Sequence, residues 1–261
     1  MGYGKRLLGD CLIEMQKIED GNVDLTVTSP PYDNLRTYND SLDWGEHIWK
    51  PVIRELFRVT KPGGVVVWVV GDATIKGSET GTSFKQALYF KEAGFNIHDT
   101  MIWNKGRFSA IGALKTRYAP VFEYMFIFTK GPIKTFNPLK DKPNKCAGNV
   151  GRGTIRQADG STKPMSKIIT IAENGQRFNI WEQVSESVKG HPAPFPQQLA
   201  TDHILSWSNP GDTILDPFAG SFTTAIACIN TNRKYICIER DPTYFEIGRQ
   251  RIAKHIGELY E

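Results

Sequence analysis

Hydrophobic and polar positions follow two different periods along the chain, and the changes between them predict its secondary structure. Residues 23–28 are rich in β-branched side chains and end at Pro30 and Pro31, which have no N–H to extend a ladder. From residue 47 to 60 the apolar positions recur with the helical period, and residues 65–70 are continuously apolar, as in strands buried on both faces. These patterns predict a strand that leads into a stiff loop, then a helix, then a buried strand.

The same alternation continues to the last residues, with one interruption. It predicts helices over residues 83–93, 197–207, 221–229 and 242–259, and strands over residues 96–103, 121–128, 213–215 and 235–238. Between residues 131 and 190 it gives way to Pro, Gly, Asn, Lys and Arg, which is typical of a loop-rich insertion. The chain is therefore predicted to be an α/β protein with a mostly parallel, twisted sheet, helices on both faces and a basic insertion.

Composition is typical of a globular protein, with 261 residues, 40% hydrophobic and 23% charged. The longest apolar run, residues 65–70, is far shorter than the roughly 20 residues that span a bilayer, and the first residues lack the apolar stretch of a secretory signal. We therefore expect a cytoplasmic protein with no membrane partner. The cysteines have neither CxxC spacing nor a neighbouring histidine cluster, so we expect reduced thiols and no metal.

The formal net charge is only +4, but it is unevenly distributed. Residues 130–189 hold eleven Lys or Arg against five Asp or Glu, a charge of +6, which leaves −2 for the remainder. A basic segment in a near-neutral frame is expected of a site for a polyanion, although a solvated lysine-rich loop has the same composition. Charge alone leaves both interpretations open.

An acidic residue follows each of two consecutive strands predicted in the C-terminal third. Asp216 leads into a loop that contains Gly220 and opens a helix, and Glu239 ends the next strand. Ligands of open α/β sheets bind at the carboxyl ends of the strands, where the second acid can accept hydrogen bonds from a ribose. The absence of GxGxxG and the acid at the start of the loop suit a cationic sulfonium better than a pyrophosphate. An ordinary strand, turn and helix with an exposed acid remains the alternative.

A tetrad of chemically distinctive residues, Ser29, Pro30, Pro31 and Tyr32, follows the first predicted strand. The prolines restrict φ, so the Ser29 hydroxyl and the Pro30 carbonyl can be held as paired hydrogen-bond acceptors. The Tyr32 ring could stack on a planar, amine-bearing substrate. A lone PPY is more often a turn with a packed aromatic, but its place after a buried strand favours the functional interpretation.

Together the motifs resemble those of the DNA amino-methyltransferases, which carry a (D/N/S)PPY tetrad and an S-adenosylmethionine loop of the DPFAGSGTT type. The order here, tetrad first and cofactor loop last, is similar to the circularly permuted β group, and the likeness covers the chain outside residues 131–190. The resemblance implies a Rossmann-like methyltransferase fold, S-adenosylmethionine as cofactor and double-stranded DNA as partner. It implies a catalytic and cofactor-binding domain, 1–130 and 191–261, and a target-recognition region, 131–190.

The resemblance also implies a role for individual residues. The tetrad Ser29, Pro30, Pro31 and Tyr32 would be catalytic. The Asp216 loop would hold the methionine moiety, Glu239 the ribose, and Asp10 with Cys11 would border the adenine. The full cofactor-binding set is Asp10, Cys11, Thr28, His191, Phe195, Pro196, Asp216, Pro217, Phe218, Ala219, Gly220, Ser221, Thr223, Thr224, Glu239 and Arg240.

Basic residues supply the candidates for DNA contact. Arginines would read guanine edges and lysines would meet phosphates. The candidates are Arg107, Lys134, Lys140, Lys142, Lys145, Arg152, Arg156 and Arg177.

The target implied by the resemblance is an exocyclic amine of a base flipped out of the duplex. A serine-headed tetrad is typical of cytosine-N4 enzymes and an aspartate-headed one of adenine-N6 enzymes, so Ser29 favours cytosine N4, with adenine N6 as the alternative. Methylation at carbon 5 of cytosine is excluded because, in that family, it needs a cysteine after a proline, and none is present. A cognate restriction endonuclease and a homodimer stay open.

One position departs from the family pattern. Phe222 stands where the family usually has a second glycine, so a side chain must be accommodated at the start of a helix. This residue leaves open a DNA-binding module that has lost catalysis. A second alternative is a methyltransferase that acts on protein glutamine or RNA, since such enzymes can also use a PPY tetrad. A nicotinamide oxidoreductase is disfavoured by the missing GxGxxG.

Overall fold

The computed structural model of the chain describes residues 4–31, 44–106, 115–151, 153–166, 168–184 and 195–260. In chain order its elements are β1 Gly4–Leu8, α1 Cys11–Met15, β2 Val23–Thr28, α2 Glu46–Val59, β3 Thr60–Val70, β4 Thr74–Ile75, β5 Ser78–Glu79, α3 Thr82–Glu92, β6 Asn96–Asn104, β7 Phe122–Thr129, β8 Lys142–Pro143, β9 Val150–Gly151, β10 Thr154–Arg156, β11 Thr162–Pro164, β12 Ile169–Thr170, β13 Asn174–Gly175, β14 Ile180–Glu182, α4 Gln197–Trp207, β15 Thr213–Asp216, α5 Thr223–Asn230, β16 Lys234–Glu239 and α6 Pro242–Tyr260.

The central feature is an eight-stranded sheet in the order β1-β16-β15-β2-β3-β7-β6-β14. Every neighbouring pair in it is parallel except the two that involve β7, which is antiparallel to both β3 and β6. The sheet is therefore mostly parallel, with β7 as its single reversed strand. This confirms the predicted architecture.

Helices pack on both faces of this sheet. Helices α1, α2 and α3 pack against one another and enclose an apolar core with the side chains of Val66, Trp68 and Phe128. Helices α4, α5 and α6 form the opposite layer, where His203 of α4 contacts Met125 of β7. Strands β2 and β3 are almost wholly buried, as expected where both faces of a strand are covered.

The direction of the crossovers changes between β2 and β15, which are neighbours in the sheet. From β2 the chain proceeds through α2 to β3, whereas from β15 it proceeds through α5 to β16 on the other side. Because these strands are parallel, their carboxyl ends meet at one edge with a crevice between the diverging connections. This is the place where open α/β sheets bind ligands.

Every helix and strand predicted from the periodicity is present, with bounds that differ by a few residues at most ends. The largest difference is β3, which begins at Thr60 rather than residue 65, because the polar segment after α2 already pairs with β2. Three further elements of the sheet and its helices, β1, α1 and β14, were not predicted.

A second compact unit comprises residues 138–178, and residues 1–137 and 179–261 make up the first. The second unit contains three short antiparallel ladders: β8 with β13, β9 with β12, and β10 with β11. This unit is shorter than the predicted insertion of residues 131–190, because Asn137 donates to backbone carbonyls of α4 and β14 pairs with the main sheet.

Among the described residues, no helix has the length and apolar character that crossing a bilayer requires. Those same residues contain no group of His, Cys, Asp or Glu side chains suited to hold a metal ion.

Candidate functional site

The carboxylate of Asp216 lies at the crevice between β15 and β2 and is bound by the chain itself. Its Oδ1 accepts from the Thr28 hydroxyl at 2.7 Å and from the Phe218 N–H at 3.1 Å, and its Oδ2 accepts from the Thr224 hydroxyl at 2.6 Å. Burial is the main cause that raises the pKa of Asp216, and these three donors oppose it. The side chain therefore connects β2, the loop after β15 and the first turn of α5.

This connection fixes where the tetrad stands relative to the loop. Thr28 is the last residue of β2 and directly precedes Ser29 and the buried Pro30. Because Thr28 donates to Asp216, the start of the tetrad is held beside the loop that follows β15. The structure thus brings together two motifs that are separated by 188 positions in the sequence.

Glu239 lies at the carboxyl end of β16 and is held by backbone donors. Its Oε2 accepts from the Gly220 N–H at 2.7 Å and its Oε1 from the Asp241 N–H at 2.8 Å. Burial is the largest cause that raises the pKa of Glu239, and the two N–H groups oppose it. A carboxylate has about four lone-pair positions, so Glu239 keeps acceptor capacity for a ligand hydroxyl.

Strand β1 pairs in parallel with β16. Asp10 and Cys11, which follow β1, therefore lie at the same edge of the sheet as Arg240, which follows β16. Asp10 caps α1 by accepting from the Leu12 N–H at 2.9 Å. Burial, and then the Asp10 carboxylate, raise the pKa of the Cys11 thiol to about 12, and the charge of Arg240 lowers it. The Cys11 thiol therefore stays protonated at neutral pH and forms an apolar surface at this edge.

The loop after β15 is held by a backbone hydrogen bond, by burial and by an aromatic contact. Ala219 donates its N–H to the Ile238 carbonyl, and Pro217, Gly220 and Ser221 are buried. The ring of Phe218 packs edge-on against Trp44 at 5.5 Å, and the indole Nε1 of Trp44 is buried with no hydrogen-bond partner in the described part of the chain.

Phe222, the departure from the family pattern, is the N-cap of α5 with left-handed backbone, φ 60°. Such a conformation favours glycine and costs a larger residue about 1–2 kcal/mol. The ring is fully buried and packs edge-on against Phe245 of α6 at 5.4 Å. It lies over Gly248, where an added Cβ would come within 2.6 Å of the Phe222 Cδ2. The burial of the ring, about 1.5–3 kcal/mol, offsets the cost of the backbone.

Arg251 of α6 is a residue that sequence reasoning missed. Its Nη1 donates to the Ser221 carbonyl at 2.6 Å, the Ser221 hydroxyl at 2.7 Å and the Thr223 hydroxyl at 3.2 Å. In the sequence it is one of two arginines of an amphipathic helix, and no local signal distinguishes it.

Other predicted cofactor residues lie at the start of α4, and some catalytic, cofactor and DNA residues fall outside the described residues. Pro196 is buried as the N-cap of α4, with Phe195 half-buried beside it. The predicted residues outside the described ranges are Tyr32, His191, Arg107 and Arg152.

The basic candidates of the second unit fall into two groups. Arg177 is bonded to Asp141 through Nε and Nη2, and the ammonium of Lys142 lies 4.2 Å from the centre of the Phe178 ring. By contrast Lys140, Lys145 and Arg156 are exposed, as is Lys134 of the first unit. The Arg177 bond joins the two ends of the second unit, which favours a structural role for that arginine.

Comparison with known proteins matches these motifs to one family. A profile of the N6/N4 DNA methylases matches residues 23–250. The orphan methyltransferase M.BamHII of Bacillus amyloliquefaciens is 50% identical over 252 residues, 92% of this chain and 92% of that protein. The DNA adenine methyltransferase YhdJ of Escherichia coli (strain K12) is 30% identical over 258 residues, 95% of this chain and 82% of that protein. The PvuII DNA methyltransferase (cytosine-N4-specific) has a similar fold, with a TM-score of 0.73 at 20% identity over 96% of this chain and 86% of that one.

Proposed function

The chain belongs to the N6/N4 DNA methylase family, and from this premise we propose that it transfers a methyl group from S-adenosylmethionine to the N4 amine of cytosine in double-stranded DNA. One observation carries the proposal: the bond from Thr28 to Asp216 holds Ser29, the first residue of the tetrad, beside the loop after β15. A methyl donor in that loop and an amine at the tetrad would then meet at one edge of the sheet. Membership in this family argues against the nicotinamide oxidoreductase.

The residues at this edge fit S-adenosylmethionine. Glu239 keeps acceptor capacity for the ribose hydroxyls, and Cys11 offers an apolar surface to the adenine. The loop that begins with buried Asp216 offers negative charge, which suits a sulfonium. When bound, the cofactor supplies an electrophilic methyl group on a positively charged sulfur.

The tetrad supplies the acceptors for the amine. The lone pair of an exocyclic amine is delocalised into the base, which makes the nitrogen a poor nucleophile. Hydrogen bonds from the amine to the Ser29 hydroxyl and the Pro30 carbonyl favour a pyramidal nitrogen and free its lone pair for attack. Both acceptors follow a strand buried on both faces, so they need little reorganisation during the reaction.

Cytosine N4 is favoured over adenine N6 by the serine at the head of the tetrad. The alternative has its own support, because YhdJ, 30% identical, is a DNA adenine methyltransferase. Both amines are attached to six-membered rings, and Ser29 can accept from either. The M.BamHII relative is an orphan methyltransferase, which favours an enzyme without a cognate restriction endonuclease.

The second unit is the proposed DNA-reading surface. Residues 138–178 contain eight Lys or Arg against three Asp or Glu, a charge of +5. All side chains of the β10 and β11 ribbon are exposed, and its register places Arg156 opposite Thr162 and Lys163 opposite Ile155. A two-stranded ribbon fits the major groove, where an arginine can read guanine.

The test is to express the chain in a host without DNA methylases and analyse the nucleosides of its DNA by mass spectrometry. N4-methylcytosine supports the proposal, N6-methyladenine replaces it with the alternative, and an unmodified genome favours the module that has lost catalysis. Ser29→Ala is the matched variant: we expect S-adenosylmethionine to bind normally and the modified base to be lost.

A further inference from the structure

One face of α6 is turned toward the loop that begins α5. Phe245, Gly248 and Arg251 are spaced three residues apart, so they lie on one side of the helix. Phe245 and Gly248 contact the ring of Phe222, and Arg251 donates to Ser221 and Thr223 on either side of it. Helix α6 thus contacts each residue from 221 to 223.

We propose that Arg251 is a positioning residue for S-adenosylmethionine, which acts by holding the loop of residues 220–223 in its binding conformation. The inference rests on the proposed function for the identity of the ligand. It goes beyond that function because it assigns a role to α6, which none of the binding motifs includes. Arg251 itself need not touch the cofactor.

Arg251 donates to several acceptors of one short segment. A single Nη1 reaches a backbone carbonyl and two hydroxyls of the loop and of the first residue of α5. A cation near the N-terminus of a helix is electrostatically unfavourable for that helix. Its position there is therefore explained by the bonds to the loop rather than by stabilisation of α5.

The backbone at Phe222 is left-handed and has to be held in place. Strained conformations persist only where the surroundings hold them. Here Gly248 leaves room for the ring, and Arg251 fixes the carbonyl that directly precedes Phe222. At the start of the same loop, Gly220 donates its N–H to Glu239, the residue proposed to bind the ribose. A shift of the loop would therefore move a group that orients Glu239.

The test compares Arg251→Met, which keeps an unbranched apolar side chain, with Arg249→Met in the full-length protein. Arg249 lies two positions away on the same helix, is exposed, and pairs with Glu246. We expect Arg251→Met to weaken S-adenosylmethionine binding in calorimetry by about tenfold or more, because it removes charge-assisted bonds. KM for the cofactor should rise while kcat at saturation stays within about twofold, as expected of lost ground-state binding. Arg249→Met should leave both constants unchanged, and Arg251→Lys should restore part of the affinity.

A second pair of variants keeps the inference testable if Arg251→Met does not fold. Gly248→Ala places a methyl group against the Phe222 ring and should also weaken cofactor binding, and Phe222→Gly in the same chain should relieve that loss. If the wild-type protein binds no S-adenosylmethionine, the proposed function itself fails. If the wild type binds and methylates while a folded Arg251→Met or Gly248→Ala binds as tightly, the role of α6 is overturned and the function stands.

Discussion

Two buried threonines of one strand offer a direct test of how the tetrad is tied to the cofactor loop. Thr26 and Thr28 are both fully buried on β2 and, two residues apart, lie on the same face of the sheet. Thr28 donates to the Asp216 carboxylate at 2.7 Å, whereas the Thr26 hydroxyl is buried without a hydrogen-bond partner in the described part of the chain. Replacing each by the isosteric valine removes only a hydroxyl, with opposite expected consequences.

The magnitudes follow from the partners. Thr28→Val removes a hydrogen bond to a buried carboxylate, and such bonds contribute about 1.5–3 kcal/mol. Thr26→Val removes a hydroxyl that is desolvated without compensation, so the free energy of unfolding should stay the same or rise by about 1 kcal/mol. For a chain of this size each kcal/mol changes Tm by about 2–4 °C. Thr28→Val should therefore lower Tm by about 3–12 °C, and Thr26→Val should not.

The effect should also depend on pH. Burial raises the pKa of Asp216 in the folded protein above its unfolded value, so the stability this group contributes is present below the unfolded pKa and is lost as the pH rises through the folded pKa. Removal of the Thr28 donor raises that pKa further. The Tm difference between wild type and Thr28→Val should accordingly be largest at neutral pH and shrink on acidification toward the unfolded pKa.

The measurement is thermal unfolding followed by circular dichroism at several pH values, together with calorimetric binding of S-adenosylmethionine. Thr28→Val should also weaken S-adenosylmethionine binding, because Thr28 holds the Asp216 carboxylate, and Thr28→Ser, which keeps the donor, should restore most of that affinity. Equal Tm changes for the two valine variants, or a Thr28→Val protein that binds the cofactor like wild type, would refute the reasoning.

Further predictions concern charge and thiol chemistry. Because burial raises the pKa of Glu239, S-adenosylmethionine affinity should fall as the pH drops through that raised value, and Glu239→Gln should bind weakly with a flatter pH profile in calorimetry. Cys146 is exposed, whereas Cys11, Cys228 and Cys237 are buried and burial raises the pKa of all three thiols. Titration with a chromogenic disulfide at pH 8 should therefore show one rapidly reacting thiol, which Cys146→Ser removes. Lys163→Gln should reduce the slope of log Kd against log salt for DNA binding by about 0.9 if that lysine meets a phosphate. Arg177→Gln should instead increase proteolysis of residues 138–178, because it removes the bond to Asp141.

The periodic elements of the fold could be predicted because their signal is local. Strands β2 and β3 and helix α4 have long runs of one period, and burial follows directly from that pattern. Strand β1 could not be predicted, since it is half polar and becomes a strand only by pairing with β16. The two- and three-residue ladders of residues 138–178 are too short to establish a period.

The candidate site divides in the same way. The tetrad and the acids Asp216 and Glu239 could be identified from residue type and position after a strand. Their hydrogen-bond partners could not be identified. Thr28, one donor to Asp216, is 188 positions away from it, and Asp141, the partner of Arg177, is 36 positions away. Sequence patterns report neighbours within a turn or a strand, whereas hydrogen bonds between distant segments exist only once the chain has folded.

The sequence by itself determined the family and the α/β architecture and supplied the candidate residues for the chemistry, because each depends on local pattern. Only the tertiary structure decided what those residues do for one another. In the folded chain Thr28 donates to the Asp216 carboxylate and Arg177 pairs with Asp141. The Phe222 ring packs against Gly248, and Arg251 donates to the carbonyl that precedes Phe222. The physical reason is that a buried polar group is stabilised by a hydrogen-bond partner, and which partner is available depends on packing between elements far apart in the chain.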